Sequence, residues 1–254
     1  MLTFFRQVRK SIISGTPIRK YLLYAIGEIL LVMIGILLAL QVNNWNENRK
    51  ENQEEQVLLN ILRDDFTSRL LELESLNEGR LLAARSIESL MSYASDISSM
   101  PSNETMDSLL SITTQTFRFN EQFSTLDMLF NSGGINQISN DSLKVLLTNW
   151  PTLVEEMLEE QRLVVNHFQK LETVLEKYVS LRDIYQKFEW TFHDIPDIPP
   201  SHIQKDYVGL LQDRGFENVM ASKRFLLYVN ITDTDKIIVD AKKIIAILDD
   251  EIVN

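Results

Sequence analysis

KYLLYAIGEILLVMIGILLALQVNNWNENRK, residues 20–50, decides the fold class. From Tyr21 to Val42 the only ionisable side chain, tyrosines aside, is Glu28. At about 1.5 Å per residue a helix of this length covers roughly 33 Å. That exceeds a hydrocarbon core of about 30 Å, so the stretch reads as a transmembrane helix. Tyr21 and Tyr24 stand at one end and Trp45 at the other, where amphipathic rings anchor at a membrane interface. A cleaved signal peptide would have an apolar region of about 7–15 residues and a small-residue cleavage site. This stretch is longer, carries an acid and runs into LALQVNNW, so we read it as an uncleaved anchor.

The flanks give an orientation. Residues 1–20 hold Arg6, Arg9, Lys10, Arg19 and Lys20 and no acid. After the span comes NNWNENRKENQEEQ, mixed in charge. The excess of basic residues on one side predicts residues 1–20 in the cytoplasm, residues 21–42 across the bacterial inner membrane, and residues 43–254 outside the cytoplasm. Leu2, Phe5, Val8 and Ile12 share a helical face beside Arg6, Arg9 and Lys10. Such a segment can lie on the inner leaflet with its bases on lipid phosphates.

Composition bounds the rest. The net charge is -11, and outside residues 1–20 there remain 20 basic against 36 acidic residues. A body that acidic excludes nucleic acid as a partner, because phosphate binding needs clustered Lys and Arg. Cysteine is absent, which removes disulfides, thiolate catalysis and cysteine-based zinc sites. Eight Gly and six Pro are few and favour long helices.

Four helical blocks follow the span. Leu58, Leu62, Phe66, Leu70, Leu73 and Leu76 recur at spacings of three or four, and no Gly or Pro lies between Ala39 and Gly79. The first block, about 46–94, therefore continues the membrane helix until SSMPSN. A second, less regular block covers about 104–131. SGGINQISND then predicts a turn at Gly133-Gly134, a short strand near Ile135–Ile138 and a cap at Ser139 or Asp141. In the third block, about 142–192, Leu153, Met157, Gln161, Val164, Phe168, Leu171 and Leu175 form a near-heptad seam. Pro151 is expected near the front of that helix, where proline is tolerated. After HDIPDIPPSH, two short helices are expected around Gly215. ITDTD should start a last helix carrying Ile237, Ile238, Ala241, Ile244, Ile245, Leu248 and Ile252. The expected fold is all-α: one transmembrane helix, then an extracytoplasmic antiparallel helical bundle with coiled-coil-like helices.

No catalytic constellation emerges. His167 sits beside the seam and reads as a packing or surface residue. His193, Asp194, Asp197, His202 and Asp206 crowd the proline connector, but chance placement explains them better than a metal site. No P-loop, GxSxG, GxGxxG or HExxH pattern appears. Tyr93, Trp150, Phe168, Tyr178 and Trp190 fall at helical spacing and read as core. We expect no enzyme activity, no cofactor and no metal.

Gly27, Leu31, Gly35 and Ala39 lie four apart and form one stripe of the span. The small residues Gly27, Gly35 and Ala39 let a second helix approach closely. Glu28 sits beside that stripe, about 10 Å along the axis from Tyr21. A charged acid at a helix centre costs about 2.5–3.5 kcal/mol, and less toward an interface. Glu28 is thus a candidate for fixing an oligomer. It could instead carry ions, in an architecture similar to the plug subunits of ion-driven stators, or reach water or Lys20 and do nothing more.

The run KYLLYAIGEILLVMIGILLALQVNNWNE, with FFRQVRK before it, resembles the amino-terminal signature of an uncharacterised family of bacterial single-pass membrane proteins. LDMLFNSGGINQISNDSLKVLL, residues 126–147, is similar to a second segment of that family. The resemblance implies that Gly27-Glu28 belongs to a recognisable motif, and it implies no activity. The expected function is a non-enzymatic assembly subunit whose partners are the lipid bilayer, further copies of itself or another membrane protein. An accessory subunit of an ion-coupled complex using Glu28 is the alternative. An extracytoplasmic ligand sensor is the third class.

Overall fold

The structure, a computed structural model, describes the backbone of residues 17–119, 123–188, 196 and 198–252, with side chains from residue 21. The helices are α1 (Pro17–Ser95), α2 (Asn103–Thr114), α3 (Ser124–Asn131), α4 (Asp141–Leu175), α5 (Leu181–Tyr185), α6 (Tyr207–Leu211) and α7 (Arg214–Glu251). Two 3-10 turns, Ile97–Ser99 and Gly134–Gln137, join them, and no strand occurs among the described residues.

Helix starts follow local capping chemistry. The side chains of Ser102, Asn140, Asp206 and Asp213 accept from the main-chain N–H groups of Thr105, Leu143, Gly209 and Phe216. Each satisfies a donor that the first helical turn leaves without a partner. Asn140 therefore caps α4, not Ser139 or Asp141 as expected. Gly133 adopts φ +74° and makes the expected turn. The segment after it is a 3-10 turn and not a strand. Pro151 is eleventh in α4, well inside the helix and not at its front.

The chain forms two compact units, Met1–Val57 and Leu58–Asn254. In the first, α1 is long and apolar enough to cross a membrane from Tyr21 onward, and its side chains are exposed nearly throughout. An apolar surface so bare fits a lipid environment better than water.

The second unit buries two apolar clusters. One joins Leu62 and Phe66 of α1 to Leu147 and Met157 of α4 and Ile237 and Ile244 of α7. The other joins Ala84 and Ile87 of α1 to Leu171 and Leu175 of α4 and Met220 and Leu227 of α7. The expected seam residues Met157, Val164, Leu171 and Leu175 are buried, and Gln161 is buried with them. Ion pairs fix the register between α1 and α7: Arg63 with Asp249, Glu74 with Lys242 (2.7 Å) and Glu88 with Arg224 (2.6 Å). Residue numbers rise along one helix as they fall along the other. The Arg224 bond holds the Glu88 carboxyl below its ordinary range. ITDTD lies inside α7, so that helix starts at Arg214 and not at residue 231.

Candidate functional site

Glu28, Gly27, Gly35 and Ala39 are exposed on α1 in the first unit. A Cβ built on Gly27 or Gly35 meets no atom within 4 Å. These glycines therefore serve no close packing inside the chain. Glu28 shares a shallow groove with Ala25, Ile29, Val32 and Ile36. Tyr21, Tyr24 and Trp45 project outward, 77%, 75% and 64% exposed. Arg6, Arg9 and Lys10, and with them the expected interfacial helix, lie outside the described residues, as do the side chains of Arg19 and Lys20.

The second unit holds a charged cleft of about 330 Å³ lined by Glu104, Asp107, Arg182, Asp183, Lys187 and Lys205 among others. Lys205, from the segment between α5 and α6, lies 2.6 Å from Asp107 Oδ2 and 2.7 Å from Asp183 Oδ2. The Tyr207 hydroxyl donates to Asp107 Oδ1, and the Ser201 N–H donates to Asp183 Oδ1 at 2.8 Å. Burial opposes the charge on Asp183, but Lys205 and the Ser201 N–H outweigh it and hold the carboxyl below its usual range. Burial likewise opposes the Lys205 charge, and the two carboxylates overcome it and raise that pKa. Burial and Asp107 push the Tyr207 hydroxyl up. These charges are balanced against one another. The cluster latches the proline connector onto α2 and α5, and it offers no poised acid or base.

Of the histidines and aspartates that crowd the connector, His193, Asp194 and Asp197 lie outside the described residues. His202 is exposed, and Asp206 caps α6. No metal-binding group of His, Asp or Glu occurs among the described residues. No local pattern signals the latch, because Asp107, Asp183 and Lys205 are spread over nearly a hundred positions.

Two cations are buried without an ion pair to a carboxylate among the described residues. Arg80 of α1 donates to Thr234 Oγ1 (2.7 Å), Gln161 Oε1 (3.2 Å) and Asn77 Oδ1 (3.2 Å). Burial lowers its pKa to about 10. Gln161 Oε1 also accepts from the Phe119 N–H at 2.7 Å. Lys223 of α7, also fully buried, donates to the main-chain oxygens of Thr113 and Gln115 (3.3 Å to the latter). Burial lowers its pKa to about 8. Together these cations clamp the irregular segment after α2.

His167 Nε2 lies 3.2 Å from Ser222 Oγ, and its Nδ1 lies 2.9 Å from the Leu163 carbonyl. Both side chains stand on the outer surface of α4 and α7. The carbonyl can only accept, so Nδ1 donates to it. This contact pins two helices. Trp150 is core, as expected; Tyr93, Phe168 and Tyr178 are half-buried, and Trp190 lies outside the described residues.

The model of the Family of unknown function (DUF6090) matches residues 28–166. No curated protein and no solved structure matches the chain. The chain belongs to that family, and the match begins at Glu28.

Proposed function

We propose that this member of a family of unknown function is a non-enzymatic, membrane-anchored assembly subunit. It crosses the bacterial inner membrane once, with residues 1–20 cytoplasmic. Residues 43–254 form an extracytoplasmic antiparallel bundle with coiled-coil-like helices. The subunit associates with further copies of itself, or with another membrane protein, through Gly27, Gly35 and Ala39 and through its long helices.

The observation that carries this reading is the bare face of the span. Gly27 and Gly35 have open space where a side chain would be. Glycine lowers helix propensity by about 1 kcal/mol, and an acid in lipid adds its own cost. Both costs are offset if a second helix lies against that face and hydrogen-bonds Glu28. Cross-linking in bilayer nanodiscs, with single cysteines in this cysteine-free chain, tests it. A cysteine at Ala39 should link copies, Gly35→Ile should abolish that link, and Glu28→Gln should preserve it. Links that persist unchanged in Gly35→Ile would overturn the assignment of the face. Loss of an ion-dependent phenotype in Glu28→Gln, with association intact, would favour ion coupling over assembly.

A further inference from the structure

The apolar cluster at the Trp150 end of the second unit does not close on itself. Phe66 stands edge-on to Phe123 and Trp150, with ring centroids 5.0 and 4.8 Å apart. Phe123 and Trp150 also meet edge-on, with ring centroids 6.4 Å apart. Beside them lies a cavity of about 200 Å³ walled by Phe119, Phe123, Leu126, Trp150, Val154 and Leu158. Its floor is deep: Leu126, Trp150 and Leu158 are each 2% exposed. Protein interiors seldom leave a void much larger than a water molecule, and a dry cavity of about 150 Å³ is enough to hold benzene. A larger side chain at Val154 would intrude into this space. An apolar pocket with a few polar groups at its mouth is the form that small-molecule sites take.

The mouth supplies the polar groups. The Arg69 guanidinium stands 5.6 and 5.4 Å from the Phe119 and Phe123 ring centres and bonds Glu72 at 3.0 Å. Glu155 bonds Arg162 at 2.7 Å. These pairs neutralise one another. Asp127, exposed at the rim, makes no side-chain bond or ion pair among the described residues. Among the described residues at the mouth, Asp127 is thus a carboxylate with no cation bonded to it, above an aromatic floor.

We propose that this cavity is a binding site for a small molecule with one aromatic ring and a positively charged substituent. The ring enters edge-on among Phe123 and Trp150, the geometry that aromatic pairs prefer. The cationic group stays at the mouth beside Asp127. The site lies wholly in the second unit and is independent of the assembly role of the span.

Trp150 fluorescence reads this site directly in the full chain, with Trp45→Phe and Trp190→Phe removing the other indoles. Benzylammonium, toluene and benzoate serve as probes. We expect benzylammonium to change Trp150 emission saturably and benzoate to bind more weakly. Val154→Phe should abolish the response to every probe. Asp127→Asn, at an exposed position that leaves the fold intact, should weaken benzylammonium about two- to fivefold and leave toluene unchanged. No saturable response to any probe, or a response that survives Val154→Phe, would overturn the site. Benzoate binding as tightly as benzylammonium would overturn the assignment of charge.

Discussion

The Lys223 ammonium on α7 donates to the main-chain carbonyl of Thr113 near the end of α2, with both residues fully buried. A cation suits the negative end of a helix, but this one has been taken out of water without a carboxylate to face. Burial sets its folded pKa near 8, against 10.5 for the free side chain. Between these values the unfolded chain holds a proton that the folded chain has released. Stability therefore rises with pH across that window and is lower below pH 8, by roughly 3 kcal/mol at most. Urea midpoints should climb from pH 8 to 10, and Lys223→Met should flatten that climb. A parallel climb in the variant would place the titration elsewhere.

Arg80 and Gln161 make a second test of the clamp. Arg80→Ala removes a buried stem and leaves Gln161 and Thr234 with fewer partners in the core. We expect a loss of about 2–4 kcal/mol, combining cavity and unsatisfied polar costs. Because Gln161 also holds the Phe119 N–H, the two positions should couple by about 1 kcal/mol or more in a double-mutant cycle. Additive effects would show that the relay carries no shared energy.

These polar contacts also mark where sequence reasoning stops. The apolar periodicity of Leu58 to Leu76 and the SSMPSN stop placed the end of α1 to within a residue. The Ile237 to Leu248 stripe gave the buried face of α7. ITDTD carries the chemistry of a helix start, yet Thr234 accepts from Arg80 and donates to the Asn230 carbonyl inside α7. Local propensity yielded to a partner 154 positions away. The Lys205 latch escaped for the same reason, since pairing at a distance leaves no local pattern. The long apolar helix needed no partner to be legible, because apolar length belongs to one continuous segment.

Lys205 separates two carboxylates that would otherwise face each other. Lys205→Met leaves Asp107 and Asp183 buried and unbalanced, which should cost about 3–5 kcal/mol near neutral pH. The sign of the pH effect follows from Asp183, whose folded pKa is depressed in the native protein. Its ion-pair contribution is present above the ordinary aspartate range and is lost as pH falls through the lower folded value. In Lys205→Met that contribution is gone at every pH, so the deficit relative to the native protein should shrink on acidification. Adding Asp183→Asn should restore part of the stability at pH 7. A double variant no more stable than Lys205→Met would mean that the lysine acts through packing.

Pro151 lies inside the continuous helix α4, where the sequence suggested a place near the front. Proline has no N–H, so the Leu147 carbonyl one turn earlier lacks its usual donor, within a residue that is wholly buried. Proline inside a helix is about 3 kcal/mol less favourable than alanine, offset by up to about 1 kcal/mol from the stiffer unfolded chain. Pro151→Ala should therefore raise the unfolding free energy by about 1–2 kcal/mol, measured as a higher urea midpoint with an unchanged slope. The ring also lines the Trp150 cavity, so its removal widens the mouth. Probe binding should weaken while the fold grows firmer, the exchange expected where a strained position serves a site. A lower midpoint in Pro151→Ala would show that ring packing on the cavity rim outweighs the missing hydrogen bond.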